Sequence, residues 1–395
     1  MTDKTLTREP QTRETRAGEM TFPDFDLARL MNTVFELSGE ESFAVFADFA
    51  NPRDVVDFAY LGRNGLEAQK HAYDTLYKGI LANKQAFHAA DVSFYGYEEV
   101  GGSNLDLPDV VVTPSGDELA LRDVLARHSI VLYMGTYSAT APITALAKEI
   151  GFRGATMHGA NDTIFATGLA VDYDEVSARA ERMRRALTKA DRMKIDWVLA
   201  SGDEVSLDVH LDRQEAQKSH GIVHEVGEVA NLPAGEVYYV PTGADGFLPQ
   251  KFEDPQETIC IFRVENRGIT GVHKFVQGDE ELVRKYLEVI EFDRNAGQLT
   301  ELGLGTQTLP FAGSDIQDEK ILGTAHLATG RSDHLGGDLS SASFKNKKNA
   351  SHNDILWSPN KTPEVVLSRA TMHRDGEATV IIENQAPTEF LRACM

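Results

Sequence analysis

Short apolar runs alternate with helical stretches along the first half of the chain. Alternation of this kind is typical of a parallel sheet with helices packed on it. The run Gly-Thr-Tyr-Ser at 135–138 follows a predicted strand, but it matches neither a dinucleotide nor a P-loop fingerprint and predicts a plain turn. The predicted strands lie at 43–49, 92–95 and 130–134, and the predicted helices include 65–82 and 141–150.

A helix predicted at 173–190 closes this first region, because four apolar residues recur in it at helical spacing and form one stripe. Beyond residue 191 the pattern changes to alternating runs joined by Gly- and Asp-containing turns, which predicts antiparallel strands. The stripe residues are Val176, Ala180, Met183 and Leu187, and the later runs lie at 193–199, 205–211, 237–240, 259–264 and 365–382.

The change of pattern predicts two domains. We expect an α/β N-terminal domain at 21–191, with a parallel sheet and helices, and a sheet-rich α+β C-terminal domain at 192–395 that binds metal. Residues 1–20 are polar and charged, so we expect a disordered tail and neither a signal peptide nor a membrane anchor. Residues 335–350 have no clear period and predict a long loop.

Composition narrows the classes of function. A net charge of −22, from 39 basic and 61 acidic residues, repels phosphate backbones and excludes nucleic acid as an expected partner. No apolar run reaches the ~20 residues of a membrane helix, so no membrane is expected either. Cys260 lies in a strand-like apolar run and Cys394 is next to last. Two such cysteines indicate no disulfide framework, which fits a cytoplasmic protein.

The candidate chemistry lies between residues 231 and 354. Segments there supply three carboxylates and two imidazoles that are able to hold a metal. This number exceeds what one catalytic ion needs and suits two divalent ions that share a bridging carboxylate. The pattern therefore predicts metal-assisted hydrolysis. The candidate ligands are Glu236, Glu301, His326, His352 and Asp354.

The sequence around each candidate supports its role as a metal ligand to a different degree. His352 and Asp354 are two apart, so in a strand both would face the same side. His326 follows a Gly-Thr step that could turn a strand toward a site. Singly, each candidate has a simpler interpretation as a solvated carboxylate or a hydrogen-bonded core histidine. Only their joint occurrence favours a metal site, and neither a zincin helix nor a Gly-x-Ser-x-Gly elbow competes with it.

The segments that carry these residues resemble the motifs of the thermophilic metallo-aminopeptidase family, typified by aminopeptidases T and S and including leucyl aminopeptidases. Two further stretches, at 153–157 and 171–173, resemble the linker region of that family. The motifs are Asn-Leu-Pro-Ala-Gly-Glu-Val at 231–237, Glu-Leu-Gly-Leu-Gly at 301–305, Asp-Glu-Lys-Ile-Leu-Gly-Thr-Ala-His at 318–326 and Ser-His-Asn-Asp at 351–354.

The resemblance implies an aminopeptidase that removes N-terminal residues from short peptides, or acts on a small-molecule substrate, as a homodimer. It implies that the five candidates are metal ligands and that Glu301 and His326 are also catalytic. Oxygen-rich ligands suit Zn, Co or Mn. The family has a tyrosine ligand where this chain has Asp333, so Asp333 or the adjacent His334 is predicted to replace it. Asn353 stands where the family has tryptophan.

Two other hypotheses remain open at this point. The family itself resembles the 2,5-dihydroxypyridine dioxygenases, which hold one Fe(II) with two histidines and an aspartate. His352, Asp354 and a further histidine would fit that triad. The chain could also be a non-catalytic accessory protein on the same fold. Metal count per chain separates the three, because two ions, one iron and none are expected respectively.

Overall fold

Three sheets and the helices around them make up the protein. The computed structural model describes residues 20–395, so the predicted tail at 1–20 lies outside the described residues apart from Met20. The strands are β1 (Glu41–Phe49), β2 (Ala89–Glu98), β3 (Val110–Val112), β4 (Glu118–Ala120), β5 (Ile130–Tyr133), β6 (Arg153–Thr156), β7 (Arg192–Leu199), β8 (Glu204–His210), β9 (Gln217–Ser219), β10 (Val229–Asn231), β11 (Glu236–Tyr239), β12 (Gly243–Lys251), β13 (Ile259–Glu265), β14 (Gly268–Gln277), β15 (Leu299–Gly305), β16 (Ala325–Gly330), β17 (His352–Trp357), β18 (Val365–Arg374), β19 (Glu377–Glu383) and β20 (Ala386–Pro387).

The helices lie mostly in the first half of the chain. The predicted helix at 65–82 contains a π-helical segment, Ala72–Tyr77, between its two α-helical ends. The α-helices are α1 (Leu27–Phe35), α2 (Glu67–His71), α3 (Lys78–Ala82), α4 (Leu121–Leu125), α5 (Thr140–Ile150), α6 (Asp162–Ala166), α7 (Tyr173–Leu187), α8 (Glu280–Phe292), α9 (Asp315–Asp318) and α10 (Glu389–Ala393).

The first sheet has the order β10-β6-β5-β1-β2-β3-β4. Its centre is parallel, as the alternating pattern predicts, and β1 pairs with both β2 and β5. The edge differs from the prediction, because β3 pairs antiparallel with β2 and β4. Strand β10, which follows residue 191 in the chain, extends the sheet parallel to β6. The sheet is therefore mixed rather than purely parallel.

Helix α7 confirms the predicted apolar stripe. All four stripe residues are buried, together with Tyr173. The helix begins after Asp172, whose carboxylate accepts a hydrogen bond from the Asp174 amide, and a carboxylate at this end also favours the helix dipole. It ends at Leu187, three residues before the predicted end, because Thr188 has a non-helical ψ of 144° and Lys189 has a φ of 64°.

Antiparallel strands form the other two sheets, as predicted. An eight-stranded sheet has the order β14-β13-β12-β8-β7-β18-β19-β20. Alternate residues of β7 are buried, which is the period of a strand with one face on a core. The run predicted at 365–382 is two strands, β18 and β19, joined by a turn at 375–376. Cys260 on β13 is fully buried, in agreement with its predicted core position.

The five-stranded sheet, with the order β17-β16-β15-β11-β9, carries the candidate ligands. Its strand β15 is buried along its whole length. Leu302 and Leu304 on β15 share one apolar core with residues of the eight-stranded sheet, so the two sheets stabilise each other. The loop predicted at 335–350 contains only short 3-10 turns. Over residues 20–395, no helix is both long and apolar enough to cross a bilayer.

Candidate metal centre

The five candidate ligands meet on one face of four neighbouring strands. Residues directly opposite each other in a ladder point to the same face, and so do alternate residues of one strand. Ala328 on β16 lies opposite Glu301 on one side and Asp354 on the other. His352 and Asp354 are alternate residues of β17, and Nε2 of His352 lies 3.3 Å from Oδ1 of Asp354, which confirms the prediction that they share a face. The strands contribute Glu236 from β11, Glu301 from β15, His326 from β16, and His352 and Asp354 from β17.

A glycine makes room for one of the imidazoles. Gly303 lies opposite His326 in the ladder, and a methyl group built on it would lie 2.1 Å from Cε1 of the ring. No real side chain tolerates that distance. The Glu-Leu-Gly-Leu-Gly segment thus alternates core leucines with a glycine over which the imidazole lies.

One group of three ligand atoms surrounds His326. Its Nε2 lies 3.7 Å from Oε2 of Glu236 and 3.7 Å from Oε1 of Glu301. These separations are too long for hydrogen bonds. They suit atoms that each contact one ion at about 2.0–2.2 Å. Oε2 of Glu236 is also buried without a hydrogen-bond partner among the described residues, which leaves an oxygen here that an ion would satisfy.

A second group surrounds His352. Its Nε2 lies 3.0 Å from Oε2 of Glu301 and 3.3 Å from Oδ1 of Asp354. Its Nδ1 lies 2.6 Å from the carbonyl oxygen of Arg331. A carbonyl only accepts, so Nδ1 donates the proton and Nε2 faces the carboxylates. Fixing a ligand histidine through its other nitrogen is a common feature of metal sites.

The two groups share one carboxylate. Oε1 of Glu301 faces His326, and Oε2 of Glu301 faces His352. Glu301 therefore has the position of a carboxylate able to bridge two ions. A third possible group, formed by Glu319, His326 and Asp354, overlaps both.

A buried lysine lies among these carboxylates. The Nζ atom of Lys320 is 2.8 Å from Oε1 of Glu236 and 2.5 Å from Oε1 of Glu319, and the lysine is 1% exposed. Burial opposes the charged ammonium, but Glu236 and Glu319 outweigh burial and raise the pKa of Lys320 above its ordinary value. The lysine is thus a built-in cation among Glu236, Glu301, Glu319 and Asp354.

The electrostatics of the centre favour additional positive charge. Burial lowers the pKa of His326, yet Glu301, Glu319 and Glu236 outweigh burial and raise it to about 10. Burial raises the pKa of Glu319 to about 8, although Lys320 opposes the shift. One ammonium is therefore insufficient for these four carboxylates, of which three are buried and Asp354 is partly buried. Divalent ions would supply the missing charge, and the residues present fit them in both number and type.

The two residues predicted to replace the family tyrosine lie beside the ligand groups and belong to none of them. Asp333 binds Arg331 in a bidentate pair, with its Oδ1 2.8 Å from Nε and its Oδ2 3.2 Å from Nη2. Its carboxylate is not brought into any of the ligand groups. His334 packs edge-on against His352, with ring centroids 5.0 Å apart, and lines the cavity without joining a group. Asn353 is exposed and points away from the cluster, because it alternates with His352 and Asp354.

The cluster opens into a cavity of about 160 Å³. Its other wall comes from loops at the carboxyl ends of the first sheet, where ligands commonly bind in such sheets. His158, in the loop after β6, lines this wall, and burial lowers its pKa to about 4. It is therefore a neutral imidazole near pH 7. Other residues of this wall are Asn104, Ser138, Thr140 and Asn231.

Sequence reasoning missed three residues of the centre. Glu319 and Lys320 lie inside the segment at 318–326, but the resemblance assigned only His326 there. His158 belongs to the first half of the chain and has no spacing relationship to the later motifs. The sequence carries no usable signal for it, because no strand is predicted at 153–156, and only the structure places it after β6, at the edge where the carboxyl ends of parallel strands meet.

The fold and the cluster define an α/β protein with one mixed sheet, two antiparallel sheets and a buried set of metal-binding residue types. Solved structures with a similar fold include 2,5-dihydroxypyridine dioxygenase from Pseudomonas putida KT2440, with a TM-score of 0.58 and 14% identity over 92% of this chain and 97% of that chain. Wild-type AmpT from Thermus thermophilus has a TM-score of 0.45 and 12% identity over 91% of this chain and 98% of that chain. The chain matches no family model and no curated protein sequence.

Proposed function

We propose that this protein is a metallo-aminopeptidase-like hydrolase that removes N-terminal residues from short peptides at a two-metal site. The observation that carries the proposal is the position of Glu301, whose two oxygens face His326 and His352 separately. A carboxylate shared by two ligand sets is the usual way to hold two divalent ions close together. One ion would be held by Glu236, Glu301 and His326, and the other by Glu301, His352 and Asp354.

Residues around the ligands fix the orientation of the ligand side chains. Arg331 accepts the Nδ1 proton of His352 through its carbonyl oxygen, which fixes the ring. Lys320 holds Glu236 by one oxygen and leaves the other free for a metal. When bound, divalent ions polarise a carbonyl group and lower the pKa of a coordinated water.

The size of the cavity supports a small substrate. A volume of about 160 Å³ accommodates a short peptide end or a compact small molecule, and the wall opposite the ligands is mainly polar. Strands of the five-stranded sheet close one side, and loops of the first sheet close the other. We therefore propose short peptides with a free amino terminus as the substrate class.

A second candidate function is a ring-cleaving dioxygenase with one Fe(II). Lys320 favours it, because the ammonium already pairs with Glu236 and Glu319 and reduces the need for a second ion. The single ion would then be held by Glu301, His352 and Asp354, a set with one histidine rather than two. The fold similarity to a 2,5-dihydroxypyridine dioxygenase is compatible with this candidate.

Metal counting combined with two assays separates the candidates. Protein purified without added metal, and protein reconstituted with Zn²⁺, Co²⁺, Mn²⁺ or Fe²⁺, would be analysed for ions per chain. Each preparation would be assayed for release of alanine from alanylglycinamide and for oxygen consumption with 2,5-dihydroxypyridine. We expect two ions and peptide hydrolysis. One iron with oxygen consumption would support the second candidate, and a metal-free, inactive protein would exclude both.

A further inference from the structure

Asn104 has a side-chain group that the fold of the chain does not use. The residue follows β2, is 3% exposed and lines the cavity opposite the metal ligands. Its Oδ1 accepts hydrogen bonds from the Ala141 amide at 2.8 Å and from the Ser138 hydroxyl at 3.4 Å. Because the Ala141 amide only donates, the atom facing it must be the oxygen, and the orientation of the amide is fixed.

The other end of this amide has no partner in the protein. Within residues 20–395, Nδ2 of Asn104 donates no hydrogen bond, and because the residue lines the cavity, this donor is left for solvent or a ligand. The oxygen already provides the cap that helix α5 needs, since its N-cap residue Ala139 offers no side-chain acceptor. Helix capping thus accounts for the carbonyl half of Asn104 and leaves the NH₂ half unexplained.

The backbone of the same loop is attached to the metal-bearing sheet. The Ser103 carbonyl accepts a hydrogen bond from the backbone amide of His352 at 3.1 Å. The Asn104 carbonyl accepts one from Nη1 of Arg331, a residue that is itself buried and paired with Asp333. The position of Asn104 is therefore fixed relative to the ligand strand β17.

We infer that Asn104 is a substrate-positioning residue, whose Nδ2 donates to a carbonyl or carboxylate oxygen on the part of the substrate remote from the reacting bond. This inference rests on the proposed function in one respect only, which is that the reacting end of the substrate binds at the metal ions. It defines the substrate class further, as small molecules with an oxygen acceptor opposite the metal-bound end. In a peptide, that acceptor is the carbonyl or carboxylate beyond the scissile bond.

Three probes that differ only at the remote end test this inference. Alanylglycine presents a carboxylate, alanylglycinamide presents an amide carbonyl, and alanine N-ethylamide has no remote oxygen. Binding to Zn²⁺-loaded protein would be measured as KM where turnover occurs and by calorimetry where it does not. Asn104→Asp retains the acceptor that caps α5 and removes both N–H donors.

We expect Asn104→Asp to weaken the binding of alanylglycinamide about tenfold and the binding of alanylglycine at least about fiftyfold. The affinity for alanine N-ethylamide should change less than about twofold. Metal content and thermal stability should stay at the wild-type values. Asn384→Asp is the matched control, because Asn384 is an exposed asparagine with a φ of 51° that lies in a turn between β19 and β20. Asn104→Ala removes both the carbonyl and the NH₂ group of the amide. It should weaken the binding of the same two probes and also lower the stability of the protein.

The outcomes separate this inference from the proposed function. The positioning role of Asn104 would be overturned if Asn104→Asp weakened the binding of all three probes equally. It would also be overturned if the variant weakened the binding of none of them. A wild-type protein that binds none of the three would overturn it as well. Binding that depends on Asn104 without any hydrolysis would support the positioning role while contradicting the peptidase proposal.

Discussion

The imidazole of His326 lies directly over Gly303, and a methyl group at residue 303 would lie 2.1 Å from Cε1 of the ring. The two residues are opposite each other on β16 and β15. The glycine is therefore part of the metal centre although it supplies no ligand atom. The His326 ring reaches Glu236 and Glu301 only because nothing occupies the space beneath it.

Gly303→Ala should displace the His326 ring and lower metal affinity roughly 10- to 100-fold, the range seen when groups that orient ligands are changed. Calorimetric titration with Zn²⁺ would measure the loss. Gly271→Ala on β14 is the control, since a methyl group there meets nothing within 4 Å. Unchanged zinc affinity in Gly303→Ala would mean that His326 is not a ligand.

Glu301→Gln should remove the shared carboxylate while keeping the size of the side chain. We expect fewer than two ions per chain and at least a roughly 100-fold fall in peptide hydrolysis, because both ligand groups lose an oxygen anion. Elemental analysis and the alanylglycinamide assay measure the two effects. Glu288→Gln, on an exposed face of α8, should change neither. Two bound ions in Glu301→Gln would contradict the bridging role.

Lys320→Met should destabilise the metal-free protein by about 3–5 kcal/mol, the usual effect of removing one partner from a buried ion pair. Glu236 and Glu319 would then be buried without a permanent cation. Urea unfolding with and without a chelator measures this effect, and added Zn²⁺ should restore more stability to the variant than to the wild type. Lys274→Met breaks an exposed pair with Asp203 and should change stability by less than about 1 kcal/mol. Equal losses in the two variants would contradict the proposed charge balance.

Asp333→Asn should leave the metal content unchanged, because the Asp333 carboxylate is occupied by Arg331. We expect a loss of about 1–3 kcal/mol in unfolding free energy from weakening this charged hydrogen-bond pair. His334→Ala should reduce metal affinity by at most about tenfold, since His334 packs against His352 but belongs to none of the ligand groups. Loss of metal in Asp333→Asn would instead identify Asp333 as a ligand.

Much of the local structure could be predicted from periodicity. The stripe of α7 and the alternating burial of β7 follow from the 3.6- and 2-residue periods of helices and strands. The antiparallel edge of the first sheet could not be predicted, because β3 and β4 have only three residues each and carry too little pattern. The pairing of β10 with β6 in that sheet could not be predicted either, since the two strands lie far apart in the sequence.

By itself, the sequence determined the residue types of the candidate centre and the common face of His352 and Asp354, because a strand turns alternate side chains to the same side whatever surrounds it. Only the tertiary structure decided that β11, β15, β16 and β17 are neighbours, which gives Glu301 its two histidines. It also decided that Lys320 lies between Glu236 and Glu319, and that the loop of Asn104 closes the cavity. Contacts of this kind join residues far apart in the sequence, such as Asn104 and Arg331, which are 227 positions apart. Their free energy depends on packing and burial that no local period encodes.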